Sequence, residues 1–281
     1  MRSLILTFLF FTFTFYVKAQ QITCSPKDKA LVLEKINTLK GQNISTSDFG
    51  TTIVSVGKTF LGTPYVAKTL EKGAKESLVI NLRGLDCTTF VENVLAFSLM
   101  LKNNKLTYED YLDYLETIRY KNGMLNGYSS RLHYFTEWIS DNEKKGFLKN
   151  ISGDIGGLQK RKEINFMSTH RTLYPFLSSD ENYQGILDSE TYMSNLDICY
   201  LPNDLIEGSE NQIKSGDIIA LTTTIKGLDV THTGIATKTS DNRIHLLHAS
   251  TKGSVEISEL PLVEYLKGIK SNNGIIVCRP N

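Results

Sequence analysis

The sequence predicts an α+β fold, with helices in the first part of the chain and an antiparallel sheet in the last part. Apolar residues recur at helical spacing in most segments up to about residue 196, and short β-rich runs replace them from residue 197. Gly, Asp, Asn and Ser separate these runs, which is typical of an antiparallel meander. No internal repeat interrupts this order, so one domain of mixed class is expected.

Capping residues mark several of the predicted helix starts. Asp86 is a good N-cap for a helix that begins at Cys87, the cluster Ser45–Asp48 caps an earlier helix, and Thr107 caps a later one. Leu78–Leu82 reads as a strand or extended segment before the turn at Arg83-Gly84. The predicted helices cover residues 26–39, 48–60, 87–98, 107–120, 131–140 and 179–196.

The β-rich runs form the predicted sheet. A short helix at 260–266 precedes the last of them. The runs are 198–201, 218–221, 231–236, 243–248, 255–257 and 275–278.

The first 19 residues read as a secretory signal peptide. Arg2 supplies a short basic region, Leu4–Val17 is apolar, and Ala19 closes the segment with a small residue. The alternatives are an uncleaved anchor helix and a lipoprotein modified at Cys24. The lipoprotein is disfavoured because Gln21–Thr23 lacks the small residue that usually precedes a lipidated cysteine. Residues 20–281 are therefore expected to form one exported, periplasmic domain with no stable membrane span after cleavage.

The net charge limits the binding partners that the sequence predicts. The net charge of +1 gives no electrostatic reason to expect nucleic acid or an anionic membrane.

Export permits disulfides, and the chain has four cysteines. If Cys87 stays a thiol, at most one pair can form among Cys24, Cys199 and Cys278, and the sequence does not choose between them.

Cys87 is the candidate nucleophile because it stands at the first turn of a helix whose apolar stripe shares its face. The free amides and the macrodipole there favour a thiolate, so a lowered pKa is expected, although Glu92 competes for the same positive end. The alternative is a structural cysteine, since free cysteine is among the most buried residue types.

A cysteine nucleophile needs a base and a group that orients the base. His232 lies on a predicted strand, with Gly234 two residues on and on the same face. His245 and His248 are three residues apart on the next strand and point to opposite faces, so only one can face His232. The pattern around His248 favours that residue. Metal binding is disfavoured, because no short spacing of ligands is present.

Five motifs in order resemble the NlpC-type papain-like cell-wall peptidases. A middle segment, Tyr128–Phe135 with Trp138, is more specifically similar to the N-acetylmuramoyl-L-alanine amidase-like branch of that superfamily. The five motifs are Gly62–Tyr65, Leu85–Phe90, Ser215–Ile219, Thr231–Ala236 and His248–Ser250.

The resemblance implies a fold and a set of roles. The fold would be papain-like, with the nucleophile at a helix start packed on the antiparallel sheet. Cys87 would be the nucleophile, His232 the general base and His248 the group that orients it. Tyr65 would stand beside the nucleophile, and Asp86 would lie at the substrate amine or amide. No cofactor is implied.

The interval between Cys87 and His232 is much longer than in compact members of the superfamily. It holds a large, mostly helical insert at about residues 102–210. Within it, Arg131, His133 and Trp138 are candidate substrate-binding residues, because aromatic faces pack on sugars and Arg pairs with carboxylates. Plain core packing is the alternative for Trp138.

Together these features predict an exported amidase that cleaves the bond between N-acetylmuramic acid and L-Ala in peptidoglycan fragments. One alternative is a muropeptide endopeptidase that cuts between D-Glu and the diamino acid. Two others are a catalytically silent peptidoglycan-binding module and a papain-like acyltransferase acting on lipids.

Overall fold

The computed structural model describes residues 21–42, 44 and 48–281. The predicted signal peptide and residues Ser45–Ser47 of the capping cluster lie outside the described residues. Within those ranges no helix is long and apolar enough to cross a membrane.

The predicted helices are present, and polar caps begin most of them. Asp48, Asp86, Thr107 and Ser179 are the N-caps of the helices that begin at residues 49, 87, 108 and 180. The segment predicted as a helix from Arg131 is extended at first, and its helix begins only at Phe135. The helices are α1 Pro26–Gly41, α2 Phe49–Lys58, α3 Cys87–Lys102, α4 Tyr108–Arg119, α5 Phe135–Lys144, α6 Phe166–Thr169, α7 Asp180–Ser194, α8 Asn203–Ser209 and α9 Leu262–Lys267.

The strands are β1 Ile22–Cys24, β2 Leu78–Ile80, β3 Leu148–Asn150, β4 Leu158–Lys160, β5 Ile198–Pro202, β6 Ile218–Thr223, β7 Val230–Lys238, β8 Ile244–Ala249, β9 Val255–Ile257 and β10 Asn272–Pro280. The large sheet has the order β4-β5-β10-β6-β7-β8-β9, and β3 also pairs with β10. All of its pairs are antiparallel, as predicted. β1 and β2 form a separate parallel pair.

The sheet is buried on both faces, because neighbouring residues of its strands enter two different cores. On one face Ile235 and Leu247 pack with Phe90 and other residues of the helices α1–α5. On the other face Ala236 and Leu246 pack with residues of α8 and α9. Burial on both faces explains why β6 begins with the continuous apolar run Ile218–Leu221.

The region between Cys87 and His232 is only partly a separate layer. Its strands β3 and β5 pair with β10, so they belong to the main sheet. α4 packs against α3. The remaining part, with α6 and α7, builds a third apolar cluster that contains Tyr128, Tyr134, Met167 and Leu177. Two residues of that cluster, Tyr134 and Met167, line the same pocket as Cys87.

Candidate active site

Cys87 is the first residue of α3, and the cap of that helix fixes its position. Asp86 Oδ1 accepts hydrogen bonds from the Thr89 amide and the Thr89 hydroxyl, both at 2.8 Å. In return the Asp86 amide donates to Thr89 Oγ1 at 2.9 Å, which completes a capping box. The predicted N-cap role of Asp86 is confirmed, and the cysteine is held at the start of a rigid helix.

The expectation of a lowered pKa at Cys87 is wrong. Burial raises the pKa of the Cys87 thiol to about 11, and the Asp86 carboxylate adds to the rise. Hydrogen bonds from the Thr233 amide and from Thr88 lower the pKa by less. A helix N-terminus produces a thiolate only when it outweighs the loss of hydration, and here it does not. We therefore expect the sulfur to be a neutral thiol at pH 7.

His232 lies near the start of β7, where the strand is irregular. The register with β6 passes from Leu221↔His232 to Thr222↔Val230, so β7 bulges before the histidine. A bulge re-aims the side chain beside it. Burial, followed by the proximity of His248, lowers the pKa of His232 to about 3. At neutral pH the imidazole is uncharged and can accept a proton.

His232 and His248 are joined by a short hydrogen bond between their rings. His232 Nε2 lies 2.6 Å from His248 Nδ1, and the two rings meet edge to face at an interplanar angle of 84°. The expected pairing of His232 with His248 is confirmed. His248 is buried, and this burial lowers its pKa to about 4.

His245 serves a different part of the structure. Its Nδ1 bonds the Ser258 carbonyl at 2.8 Å, and its Nε2 lies 3.0 Å from Asp241 Oδ2. Because successive side chains of a strand alternate, His245 is directed away from His232.

Tyr65 is held beside the start of α3 by backbone hydrogen bonds. The Tyr65 amide donates to the Gly253 carbonyl at 2.8 Å, and the Leu85 amide donates to the Pro64 carbonyl at 3.0 Å. Burial raises the pKa of Tyr65, and Cys87 and Asp86 raise it further. The backbone of Tyr65 also bridges to Leu85, two residues before Cys87.

Cys87 and His232 open into one pocket of about 160 Å³. β7 and the residues before it supply part of the lining, and the insert supplies another part. The insert residues that line the pocket are His133, Tyr134, Phe135, Met167 and Tyr174.

His133, one of the candidate substrate-binding residues, lines this pocket. Its Nε2 bonds the Tyr128 carbonyl at 2.8 Å, and the two rings are 4.2 Å apart. Burial, with a further contribution from the Arg131 charge, holds the pKa of His133 well below its usual range. The ring is neutral and donates through Nε2–H.

Two predicted substrate contacts are wrong. Trp138 is fully buried and stacks on Phe135 at 4.7 Å, so its indole belongs to the core and cannot reach a sugar. Arg131 is 6% exposed, and its guanidinium pairs with Glu71 and Glu76. These two carboxylates already neutralise it, and Arg131 does not line the Cys87 pocket.

Several residues around the site escaped sequence reasoning. Asp229 Oδ2 accepts hydrogen bonds from the Thr136 amide at 2.8 Å and the Thr136 hydroxyl at 3.0 Å, which ties α5 to the His232 strand. The sequence signal for Asp229 was its position three residues before His232. Tyr174 carried no signal, because only the fold brings it to the pocket. Tyr265, on α9, meets the His248 ring edge to face at 5.5 Å.

The four cysteines are free thiols, so none of the three possible disulfide pairs is formed. Across residues 21–42, 44 and 48–281, no group of three or more His, Cys, Asp or Glu side chains is arranged to hold a metal ion.

Comparisons with known proteins agree on one family. A sequence model of the N-acetylmuramoyl-L-alanine amidase-like family, AmiA-like, matches residues 55–275. No curated protein matches the chain. An N-acetylmuramoyl-L-alanine amidase from Bacteroides uniformis ATCC 8492 is 41% identical, with a TM-score of 0.79, over 84% of this chain and 100% of that one.

Two further solved structures are similar. A Bacteroides fragilis protein, provisionally named a xylanase, is 41% identical with a TM-score of 0.75, over 79% of this chain and 98% of that one. A protein from Legionella pneumophila str. Philadelphia 1 is 22% identical with a TM-score of 0.70, over 90% and 94% of the two chains, and shares the fold.

Proposed function

Because the chain belongs to the N-acetylmuramoyl-L-alanine amidase-like family, we propose that it is a cysteine amidase of peptidoglycan fragments. The bond cleaved is the amide between the lactyl group of N-acetylmuramic acid and L-Ala. The observation that carries this proposal is the 2.6 Å contact between His232 and His248 beside a thiol that shares a pocket with His232. Nucleophile, base and orienting group are the set that acyl transfer requires.

The first step forms a thioester. His232 accepts the Cys87 proton through Nδ1, since its Nε2 is engaged with His248. The sulfur attacks the lactyl carbonyl as the proton leaves. Free amides of the first turn of α3 are the nearest donors for the resulting oxyanion. The tetrahedral intermediate collapses when the imidazolium returns the proton to the amine of L-Ala, which departs.

The second step hydrolyses the thioester. His232, again neutral, removes a proton from water, and the hydroxide adds to the thioester carbonyl. Collapse of this intermediate releases the muramic acid carboxyl group. The Cys87 sulfur takes the proton back from His232, so the enzyme returns to its starting thiol and imidazole.

The placement in the NlpC-type papain-like superfamily belongs to this proposal. A cysteine at a helix start and two histidines on adjacent antiparallel strands support it. The export of the mature protein to the periplasm is also proposed, on the strength of residues 1–19 alone. No cofactor enters the reaction as proposed.

The insert supports a preference for substrates that carry the sugar. It supplies part of the lining of the Cys87 pocket, including the rings of His133 and Tyr174. A peptide bond alone needs no such lining. The ring of Tyr174, which is partly exposed, offers a face on which a sugar can pack.

Rival activities require other residues. A glycosidase acts through a pair of carboxyl groups. Among the described residues that line the Cys87 pocket, Asp229 is the only carboxylate, and Thr136 engages it. A muropeptide endopeptidase would use the same three residues, so the products distinguish it. A silent binding module would yield no products.

The test is mass spectrometry of purified muropeptides after incubation with the mature protein. Free muramic acid sugar and a peptide beginning with L-Ala are expected from wild type and from Cys199→Ala, and neither from Cys87→Ala. Cys199 is a matched control because it is a partly buried free thiol that does not line the pocket. Cleavage between D-Glu and the diamino acid, or equal turnover by Cys87→Ala, would overturn the proposal.

A further inference from the structure

Three polar residues form a row across three neighbouring strands. His232 is on β7, His248 on β8 and Glu256 on β9. His248 and Glu256 are directly opposite in the β8–β9 register, so their side chains lie on one face of the sheet. His248 Nδ1 meets His232, and His248 Nε2 lies 3.9 Å from Glu256 Oε1.

The row fixes where the protons must be. For His232 to accept a proton through Nδ1, its Nε2 must carry a hydrogen and donate it to His248 Nδ1. His248 then carries its own hydrogen on Nε2. In the described part of the chain that buried nitrogen has no hydrogen-bond partner. A buried donor without an acceptor is unfavourable, and the nearest carboxylate is that of Glu256.

We propose that Glu256 is a positioning residue of the site, the fourth member of the series Cys87–His232–His248–Glu256. Its side chain is 39% exposed. A rotation that closes the 3.9 Å gap lets the carboxylate accept the His248 Nε2–H. This bond holds His248 in the tautomer that keeps His232 Nδ1 available. It also stabilises the positive charge that the two imidazoles share once His232 has taken the thiol proton.

The other charged and titratable groups around His248 do not replace Glu256. Lys252, after β8, lowers the pKa of His248 and so opposes the charged form. Tyr265, on α9, presents its ring to His248, and burial followed by Glu256 and Cys87 raises the pKa of its phenol. Glu256 is thus the group of this set whose charge favours an imidazolium.

This inference rests on the proposed function for its kinetic consequence, but not for its structural one. The chain has five histidines, so nitrogen-15 NMR of the imidazoles can assign the protonated nitrogen of each. In wild type we expect His248 to be the Nε2–H tautomer, and Glu256→Ala to shift it towards a mixture. This readout needs no substrate, so it decides the proposal even if the amidase assignment fails.

The kinetic experiment uses Glu256→Gln, Glu256→Asp and Glu259→Gln. Glu259 is an exposed neighbour and serves as the matched control. Glu256→Gln keeps an acceptor but loses the charge, so kcat should fall at least roughly tenfold with KM little changed, and the acid limb of the pH profile should move to lower pH. Glu256→Asp should restore part of kcat. Wild-type kcat and an unchanged tautomer in Glu256→Ala would overturn the proposal, as would an equal loss in Glu259→Gln.

Discussion

Gly234 lies directly against His248, with no room for a side chain between them. A Cβ atom at residue 234 would stand 2.9 Å from His248 Cβ and 2.9 Å from Leu246 Cγ. Real Cβ atoms do not approach other atoms so closely, so a larger residue must shift His248 or Leu246. The absence of a side chain at residue 234 therefore helps His248 to keep the position in which it meets His232.

Gly234→Ala should therefore separate activity from folding. We expect a loss of about 1–3 kcal/mol in the free energy of unfolding from overpacking, together with a fall in kcat of at least roughly tenfold because the base loses its orienting partner. Gly57→Ala is the matched control, since its Cβ would stand 2.8 Å from Leu247 Cδ2 on the opposite face of the sheet. Denaturant unfolding and kcat measured on both variants decide the point. Equal kcat in the two variants would contradict the assignment.

Substitution of the two β8 histidines should give opposite results. His248→Ala should lower kcat by roughly 10²-fold or more, because His232 loses the group that orients it. His245→Ala should leave kcat near wild type but reduce stability by about 1–3 kcal/mol, since it leaves the Ser258 carbonyl without its partner. Turnover and unfolding curves test both variants. A larger kinetic effect at His245 would reverse the interpretation of β8.

The protonation state of Cys87 can be read directly from thiolate absorbance in the ultraviolet. Burial raises the pKa of this thiol from 9.0 to about 11, so the difference spectrum between wild type and Cys87→Ser should show no thiolate at neutral pH. Absorbance should rise only above pH 9. The other three cysteines are common to both proteins and cancel. A thiolate signal at neutral pH would mean that a Cys87–His232 ion pair forms before substrate binds.

The two active-site histidines should also shape the pH dependence. Their pKa values are lowered from 6.5 to about 3 at His232 and about 4 at His248, so kcat/KM should stay level as pH falls through 6.5.

The stability of the fold should behave differently. Unfolded histidines bind protons below pH 6.5 whereas these folded ones do not, so the free energy of unfolding should decrease from pH 6.5 towards pH 4. His248→Gln should reduce that slope in chemical denaturation. A midpoint near pH 6.5 in the kcat/KM profile would contradict the activity prediction, because it would mean that His232 is hydrated and keeps its ordinary pKa.

Selectivity for the sugar can be tested on the insert. Tyr174→Ala should lower kcat/KM for a muramic-acid-bearing peptide by roughly threefold to tenfold, equivalent to about 0.5–1.5 kcal/mol of ring contact. The free L-Ala-γ-D-Glu peptide lacks the lactyl–L-Ala amide, so any residual cleavage of it occurs at another bond and should not change. Leu173→Ala is the matched control, because Leu173 is exposed and outside the pocket lining. A free peptide cut as fast as the sugar-bearing one would remove the insert from selectivity.

The features predicted best depended on local chemistry. Asp86 caps the Cys87 helix because its carboxylate can accept a hydrogen bond from the free amides of the first turn. Strand alternation showed that only one of His245 and His248 could face His232, and the His-Ala pattern favoured His248. Neither inference required knowledge of the packing.

The failures depended on burial and on contacts distant in sequence. Arg131 and Trp138 have the right chemistry for a substrate, but the fold encloses both. The Cys87 pKa was misjudged for the same reason, because loss of hydration exceeds the helix effect. β1, β3 and β4 were missed, and in β3 and β4 this is because two of the three residues are polar, unlike those of β2. The three strands form because β2, β10 and β5 offer them partners.

The position of β10 governs how the chain can fold. This strand, at residues 272–280, pairs with β3, β5 and β6, which begin at residues 148, 198 and 218. The centre of the sheet is therefore missing until this last described strand has been synthesised, and every earlier intermediate exposes unpaired strand edges. Contacts so distant in sequence slow folding, and exposed edges invite aggregation. We expect folding to begin in the α2–α3 helices and to end with the insertion of β10, which joins the insert and the histidine strands in a single cooperative unit.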